Sequence, residues 1–272
     1  MQRRILSEIL CKAPVHDSAF GFIAGRSCIG AAQRHAVEAV VIAADLKDFF
    51  TSTPLGRVHA IFRSLGYPWA VARALTSLCS TSTPEAVFLR LPPAQRPDWF
   101  TRRLCATPHL AQGAPTSPAL ANLAAIGLDV RLSGLAAASG GRYTRYADDL
   151  AFSGDKSFAR RSGRLLAAVE RIAADEGYRL NPAKTRIMRA GASQRLTGIA
   201  VNAHVNLPRE SFDALKATLH NCARHSASTQ NHAGHADFRA HLSGRVGWVE
   251  QLNPARGAKL RAMFETIAWA ET

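Results

Sequence analysis

The chain has 272 residues, with 34 Lys and Arg against 20 Asp and Glu, a net charge of +14 when histidine is neutral. That excess excludes an acidic chaperone-like or disordered tail protein and points to a polyanionic partner. A content of 47% hydrophobic and 20% charged residues puts the basicity on an ordinary globular fold. No run reaches the roughly 20 apolar residues of a membrane span, and the N-terminus lacks an apolar signal core. The five cysteines never stand in C-x-x-C spacing, which disfavours a disulfide framework or cysteine zinc site and suits a reducing cytoplasm.

In chain order, Ile5, Leu6, Ile9 and Leu10 predict a short amphipathic helix over 3–11. A glycine-punctuated turn segment with Gly21, Gly25 and Gly30 runs into a short helix around Ala31–His35. The apolar run from Glu38 to Leu46 predicts a buried strand. Pro54 opens a helix to about Leu65 and Pro68 another to about Cys79. Residues 80–110 hold five prolines and little periodicity, which predicts an irregular excursion. An Ala- and Leu-rich helix is expected from Thr116 to Ala138, ended by Gly140-Gly141. Arg142–Ser153 alternates around Asp148-Asp149 and predicts a hairpin. A helix faced by Phe158, Leu165, Leu166, Val169 and Ile172 follows and stops at Gly177. Short strands are expected near Arg186–Met188 and Arg195–Val205, and the basic remainder from Pro208 reads as helical, with Pro254 opening a terminal helix. This order predicts an α+β core with an antiparallel sheet and a helical C-terminal lobe.

Asp45 closes the apolar strand, and Asp148-Asp149 occupy the tip of an aromatic-flanked hairpin. Carboxylates at neighbouring strand ends repel unless a cation lies between them. Hard oxygen ligands suit Mg²⁺, and a pair of such ions about 4 Å apart activates a hydroxyl and stabilises a leaving oxygen. Phosphoryl or nucleotidyl transfer is the reaction class this pattern indicates. A plain polar Asp-Asp turn is the competing explanation on residue type alone. The histidine group His232-x-x-His235 with His220, His225 and His241 lacks Cys or acidic partners at fixed spacing. A basic helical lobe along a nucleic-acid duplex accounts for it better than a metal site.

Four motifs stand in order: Asp45-Leu46-Lys47-Asp48-Phe49-Phe50; Gln112-Gly113-Ala114-Pro115-Thr116-Ser117-Pro118; Tyr146-Ala147-Asp148-Asp149; and Gly177 with Leu180-Asn181 and Lys184-Thr185. Together they resemble the signature set of reverse transcriptases, including its Tyr-x-Asp-Asp. Within that family, Gly21-Phe22 with Gly25-Arg26-Ser27, Leu196-Thr197-Gly198, Asn206–Glu210 and the ending from Gly244-Arg245 through Leu252-Asn253-Pro254 to Trp269 are similar to the retron-type and related bacterial branch, including group II intron-like enzymes. Three spots depart: Ala31-Ala32-Gln33-Arg34-His35 stands for N-A-x-x-H, Leu196 for the Val of V-T-G, and Ala111 for a common Pro.

The resemblance implies a right-hand polymerase: partial fingers over 1–36, a palm over 37–205 with interleaved fingers elements, and a helical thumb over 206–272. It implies that Asp45 and Asp148 hold two Mg²⁺ ions with the backbone carbonyl of Leu46. Asp149 is either a further ligand or a turn-former that tunes its neighbour. Lys184 is the implied acid for the pyrophosphate leaving group. Phe50 would block a ribose 2′-hydroxyl and so favour dNTPs over rNTPs. Gln112 and Gly113 would meet nucleotide and template, and Arg26 and Arg209 backbone phosphate or an ordinary salt bridge. Implied partners are an RNA template, a DNA or RNA primer, dNTPs and a structured non-coding RNA, in the cytoplasm of a bacterium, with a role in antiviral defence. Relatives carry a further fingers segment upstream of the helix that begins here at Gln2. The chain is therefore expected to be a truncated or split form, the latter with a separate fingers-bearing partner, or to have a misplaced start, or to do something other than ordinary polymerisation. A non-catalytic or partner-dependent nucleic-acid-binding relative and an untemplated DNA polymerase are the alternatives. An RNA-copying RNA polymerase is disfavoured by Phe50.

Overall fold

The structure is a computed structural model and describes residues 1–269. Two short helices, α1 (Gln2–Glu8) and α2 (Cys28–Gln33), precede the central strand β1 (Val40–Lys47). Then come α3 (Leu55–Ser64), α4 (Trp69–Leu78), α5 (Glu85–Leu89), α6 (Trp99–Ala106), α7 (Ser117–Ala124) and α8 (Ile126–Ala138). A hairpin of β2 (Gly141–Tyr146) and β3 (Asp149–Gly154) leads to α9 (Lys156–Asp175). Short strands β4 (Arg179–Leu180), β5 (Arg186–Arg189), β6 (Arg195–Leu196) and β7 (Ile199–Ala200) follow. The chain ends in α10 (Arg209–Arg224), α11 (Ala227–Gln230), α12 (Phe238–Leu252) and α13 (Pro254–Glu265).

The sheet runs β2-β3-β1-β4, with β5 also on β1, and its named pairs are antiparallel. Alternation along β1 sorts its side chains between two cores. Val40, Ile42, Ala44 and Leu46 join the cluster of Leu128, Leu132, Phe158, Leu165 and Val169, so α8 and α9 cover that face. Val41 packs on the opposite face with Ala32, Ala151, Leu196, Ile199 and Leu252. Asp45 shares the parity of Val41 and therefore points away from α8 and α9. The C-terminal lobe has its own core of Leu215, Leu219, Leu242, Val246, Leu260 and Phe264.

Three expectations need correction. The excursion 80–110 contains α5 and α6, because Pro84 and Pro97 stand just before helices rather than inside them, and Asp98 caps α6 by accepting from the Thr101 amide. The single helix expected over 116–138 is two, bent by 50° at Ala125, whose ψ of 4° leaves the helical range. No proline marks that bend, and the nearest glycine, Gly127, is the second residue of α8. The strand expected over Arg195–Val205 folds back on itself as β6 and β7, turning through positive φ at Thr197 and Gly198. Among the described residues no single helix is long and apolar enough to cross a membrane, although the bent pair α7 and α8 would pass on length and composition.

Candidate active site

Asp45 lies directly opposite Asp149 in the β1–β3 register, and the Leu46 amide donates to the Asp148 carbonyl at 2.9 Å. That bond, one residue beyond the pair, makes Asp45–Asp149 a non-hydrogen-bonded pair, the arrangement in which opposed side chains come closest. Like charges there are destabilising. Asp148 occupies the turn beside them, next to Ala147, which holds a φ of 56°.

The local electrostatics follow from this crowding. Partial burial, then the charge of Asp45, raises Asp148 above the ordinary carboxylate range. Loss of surrounding solvent at the hairpin, then Asp148 and Asp45, pushes Asp149 up to about 6. The Asp149 residue as a whole is exposed, so we assign more of its shift to the two neighbouring charges than to burial. Asp45 is itself buried, accepting from Asn181 Nδ2 at 3.2 Å and Lys184 Nζ at 3.1 Å. That bond to Asp45 raises Lys184 above its usual range and keeps its exposed ammonium charged.

The donor set fits a divalent cation: hard carboxylate oxygens pressed together, with Asp148 and Asp149 raised in proton affinity by burial and by their neighbours' charge. Among the described residues no three His, Cys, Asp or Glu side chains converge into a ready cage. Mg²⁺ rarely needs one, since it is usually held by one or two carboxylates plus substrate phosphates.

The other residues expected at the site separate into two groups. Phe50 is half-buried, with Phe49 at 5.5 Å and Phe22 at 6.1 Å between ring centroids, while Phe49 is the true core ring. Gln112 and Gly113 are exposed on the loop before α7. Gly113 has a φ of 85° with open space where a Cβ would be, so backbone conformation alone accounts for a glycine there. Arg26 is turned inward instead, donating through Nη1 to the carbonyls of His16 and Ala19 at 2.8 and 2.6 Å. It clamps the loop and lies 3.4 Å from Asp17, the ordinary salt bridge expected as the alternative to a phosphate contact. Arg209 is exposed on α10, 3.5 Å from Asp213, and lines a groove of about 400 Å³ with Phe212, Lys216, Arg256 and Lys259.

Several supporting residues escaped the sequence reading. Arg145 donates to Asp129, Asn122 Oδ1 and the Ala147 carbonyl, all out of solvent. Asn122 in turn donates to the Gly21 carbonyl at 2.8 Å. A Cβ on Gly21 would collide with the Ala147 backbone, which explains that glycine. The available signals were an arginine between the aromatic residues of β2 and the turn, and an aspartate in the apolar stretch Ile126–Val130. Lys47 reaches Asp98 at 2.7 Å, and the Arg179 guanidinium lies 3.5 Å from the Phe100 ring centroid, tying α6 to the rim of the site. His235 stacks on His241 at 3.8 Å, a ring contact inside the C-terminal lobe.

Opposed carboxylates with an adjacent lysine at an open sheet end make a centre suited to cation-assisted chemistry on phosphates. Residues 1–219 match the family described as "Reverse transcriptase (RNA-dependent DNA polymerase)". The chain is 42% identical over 260 residues to the Retron Mx65 reverse transcriptase of Myxococcus xanthus, covering 96% of this chain and 57% of that one. It is 38% identical over 284 residues to the Retron Mx162 reverse transcriptase of the same organism, covering 98% and 55% respectively. A solved foamy viral protease-reverse transcriptase in complex with double-stranded DNA is similar at a TM-score of 0.49 and 15% identity, covering 93% of this chain and 36% of that one. The chain belongs to the reverse transcriptase family, and its mixed helices and antiparallel sheet are the α+β core expected of it. Its members work with divalent metal ions. The chain spans a little over half the length of these Myxococcus relatives.

Proposed function

We propose that this chain is an RNA-directed DNA polymerase of the retron type, adding dNTPs to a primer 3′-hydroxyl on an RNA template. The observation that carries this reading is the opposed pair Asp45 and Asp149 with Asp148 in the adjoining turn, beside Lys184. The proposed regions are fingers elements over 1–36, a palm over 37–205 and a thumb from 206 to 272, the last three residues lying outside the described ones.

Asp45, Asp148 and the Leu46 carbonyl would hold Mg²⁺, with Asp149 raising the local negative charge. Two such ions, when bound, activate an attacking hydroxyl and steady a leaving oxygen. Lys184 keeps its proton while it neutralises Asp45 and stands ready to pass it to the pyrophosphate. Phe50 would present its ring to the incoming sugar, flanked by Phe22. Gln112 and Gly113, on an exposed loop, would meet the nucleotide and template. Arg209 and its groove on α10 and α13 would follow the duplex backbone.

The test is primer extension on a heteropolymeric RNA template, offering one dNTP at a time with Mg²⁺. Template-directed incorporation that falls at least a thousandfold in Asp148→Asn supports the reading. Incorporation indifferent to the template would assign the untemplated alternative, and none at all with an intact fold would assign the non-catalytic one.

A further inference from the structure

We propose that the outer face of α9 is a second nucleic-acid surface, one that grips the phosphate backbone of a double helix on the side of the sheet away from the carboxylates. The inference goes beyond the polymerase reading and does not depend on it. The helix buries Phe158, Ser162, Leu165, Val169 and Ala173 against the sheet and α8. At 100° per residue, Lys156, Arg160, Arg164 and Arg171 fall within an arc of about 80° on the opposite side. All four are exposed, and they span about 22 Å of helix at 1.5 Å per residue. Because Asp45 and Asp149 point to the other face of the sheet, this stripe is not an extension of the candidate cleft.

Local energetics argue against the stripe as mere solvated surface. Lys156–Arg160 and Arg160–Arg164 are like-charge pairs four residues apart, which destabilise a helix. The cations crowd its N-terminal half, where the helix dipole favours anions, and the first turn holds no acidic residue. Asp155 caps the helix by accepting from the amides of Ser157 and Phe158. Asp175, at the far end, is paired with Arg131 on α8 at 2.6 Å. Glu170 at the edge of the arc is the remaining acid of the helix, and no salt bridge to the four cations forms among the described residues. A sequence that accepts these local costs gains something elsewhere.

The kind of partner follows from what lies between the charges. Gly163, Ala167 and Ala174 leave the face smooth and without aromatic rings. Single strands are held largely by bases stacking on such rings. No ring is present, whereas a straight row of cations suits the regular phosphate backbone of a duplex.

The test uses the whole chain and a variant with Lys156, Arg160, Arg164 and Arg171 each changed to Gln. Its control changes Arg3, Lys12, Arg73 and Arg90, exposed cations elsewhere, to Gln. Binding is measured against salt for a hairpin RNA, a hairpin DNA, a single-stranded homopolymer and anionic vesicles. The stripe variant should lose about three from the log–log salt slope on a hairpin, and at least tenfold in affinity at low salt. The control should lose less than one, and the stripe variant should melt no lower than wild type. The two hairpins tell an RNA stem from a DNA duplex. Equal losses in both variants, a loss as large on the single strand, or a loss confined to vesicles would overturn the proposal.

Discussion

Arg145 donates through Nε and Nη2 to the two carboxylate oxygens of Asp129, at 2.8 and 2.6 Å, and neither side chain reaches solvent. The third arm of the guanidinium, Nη1, donates to the Ala147 carbonyl at 3.0 Å. Ala147 is the residue whose left-handed φ turns the chain so that Asp148 and Asp149 stand at the sheet end. An ion pair in the core thus fixes the backbone from which the carboxylates project.

Breaking this pair on one side is expected to cost far more than removing it whole. Asp129→Ala leaves a buried guanidinium without its counter-ion and should destabilise by about 3–5 kcal/mol. The double change Asp129→Leu with Arg145→Met removes the orphan charge and should recover much of that in a urea melt. Nucleotide incorporation should stay low in the double variant, because the clamp on Ala147 is gone. Recovery of activity together with stability would reduce Arg145 to packing.

His35 predicts acid sensitivity away from the carboxylates. Its ring is buried between the hydroxyls of Ser153 and Thr144, at 2.8 Å from each. Burial first, then the charges of Arg142 and Arg34, holds it down to about 3, against an ordinary 6.5. Between those values the unfolded chain takes a proton that the folded chain refuses. Stability is therefore complete above pH 6.5 and drains as the pH falls towards 3. At pH 5 the loss should be about 2 kcal/mol relative to pH 7.5. Urea melts of wild type and His35→Gln at both pH values isolate this histidine, and an equal drop in the two proteins would refute it.

The opposed aspartates predict a trade between stability and function. Without cations, Asp149→Asn removes a like charge facing Asp45 and should stabilise by up to about 1 kcal/mol. For a chain of this size that corresponds to a rise of about 2–4 °C in melting temperature. Millimolar Mg²⁺ should raise the wild-type melting temperature and do less for Asp45→Asn and Asp148→Asn, because binding to the native state alone adds stability. Equal Mg²⁺ shifts in all three would place the ion elsewhere.

Much of this architecture was legible because hydrophobic period and helix caps are local signals. The run to Leu46 gave β1 and the alternation around Asp148-Asp149 gave the hairpin, each displaced by only a residue or two. The bend at Ala125 was not legible, since no local residue enforces it. Nor were the supports of the site. Arg145, Asp129, Asn122 and Gly21 are spread over more than a hundred residues of chain and meet only in the fold. The two roles offered for Arg26 stayed open for the same reason, since nothing local tells a loop clamp with a salt bridge from a phosphate contact.

Phe50 carries the sharpest test, because one ring separates DNA from RNA synthesis in the proposed reading. It is half-buried, with Phe49 behind it and exposed Phe22 beside it, so part of its face is open to a ligand. A ribose 2′-hydroxyl pressed on that face would lose its water and find no acceptor. Leaving such a hydroxyl unpaired costs about 1–3 kcal/mol, and steric overlap adds to it. Phe50→Ala should therefore raise the use of rNTP relative to dNTP by about tenfold or more, at 1.4 kcal/mol per decade. Phe49→Ala serves as the contrast: its ring is 3% exposed, so its loss should cost about 3–5 kcal/mol of stability without moving the ratio. Ratios of kcat/KM for paired nucleotides on the same primer–template decide it. An unchanged ratio in Phe50→Ala, with the usual loss of stability for a core aromatic, would make Phe50 a second Phe49 and leave sugar choice to another residue.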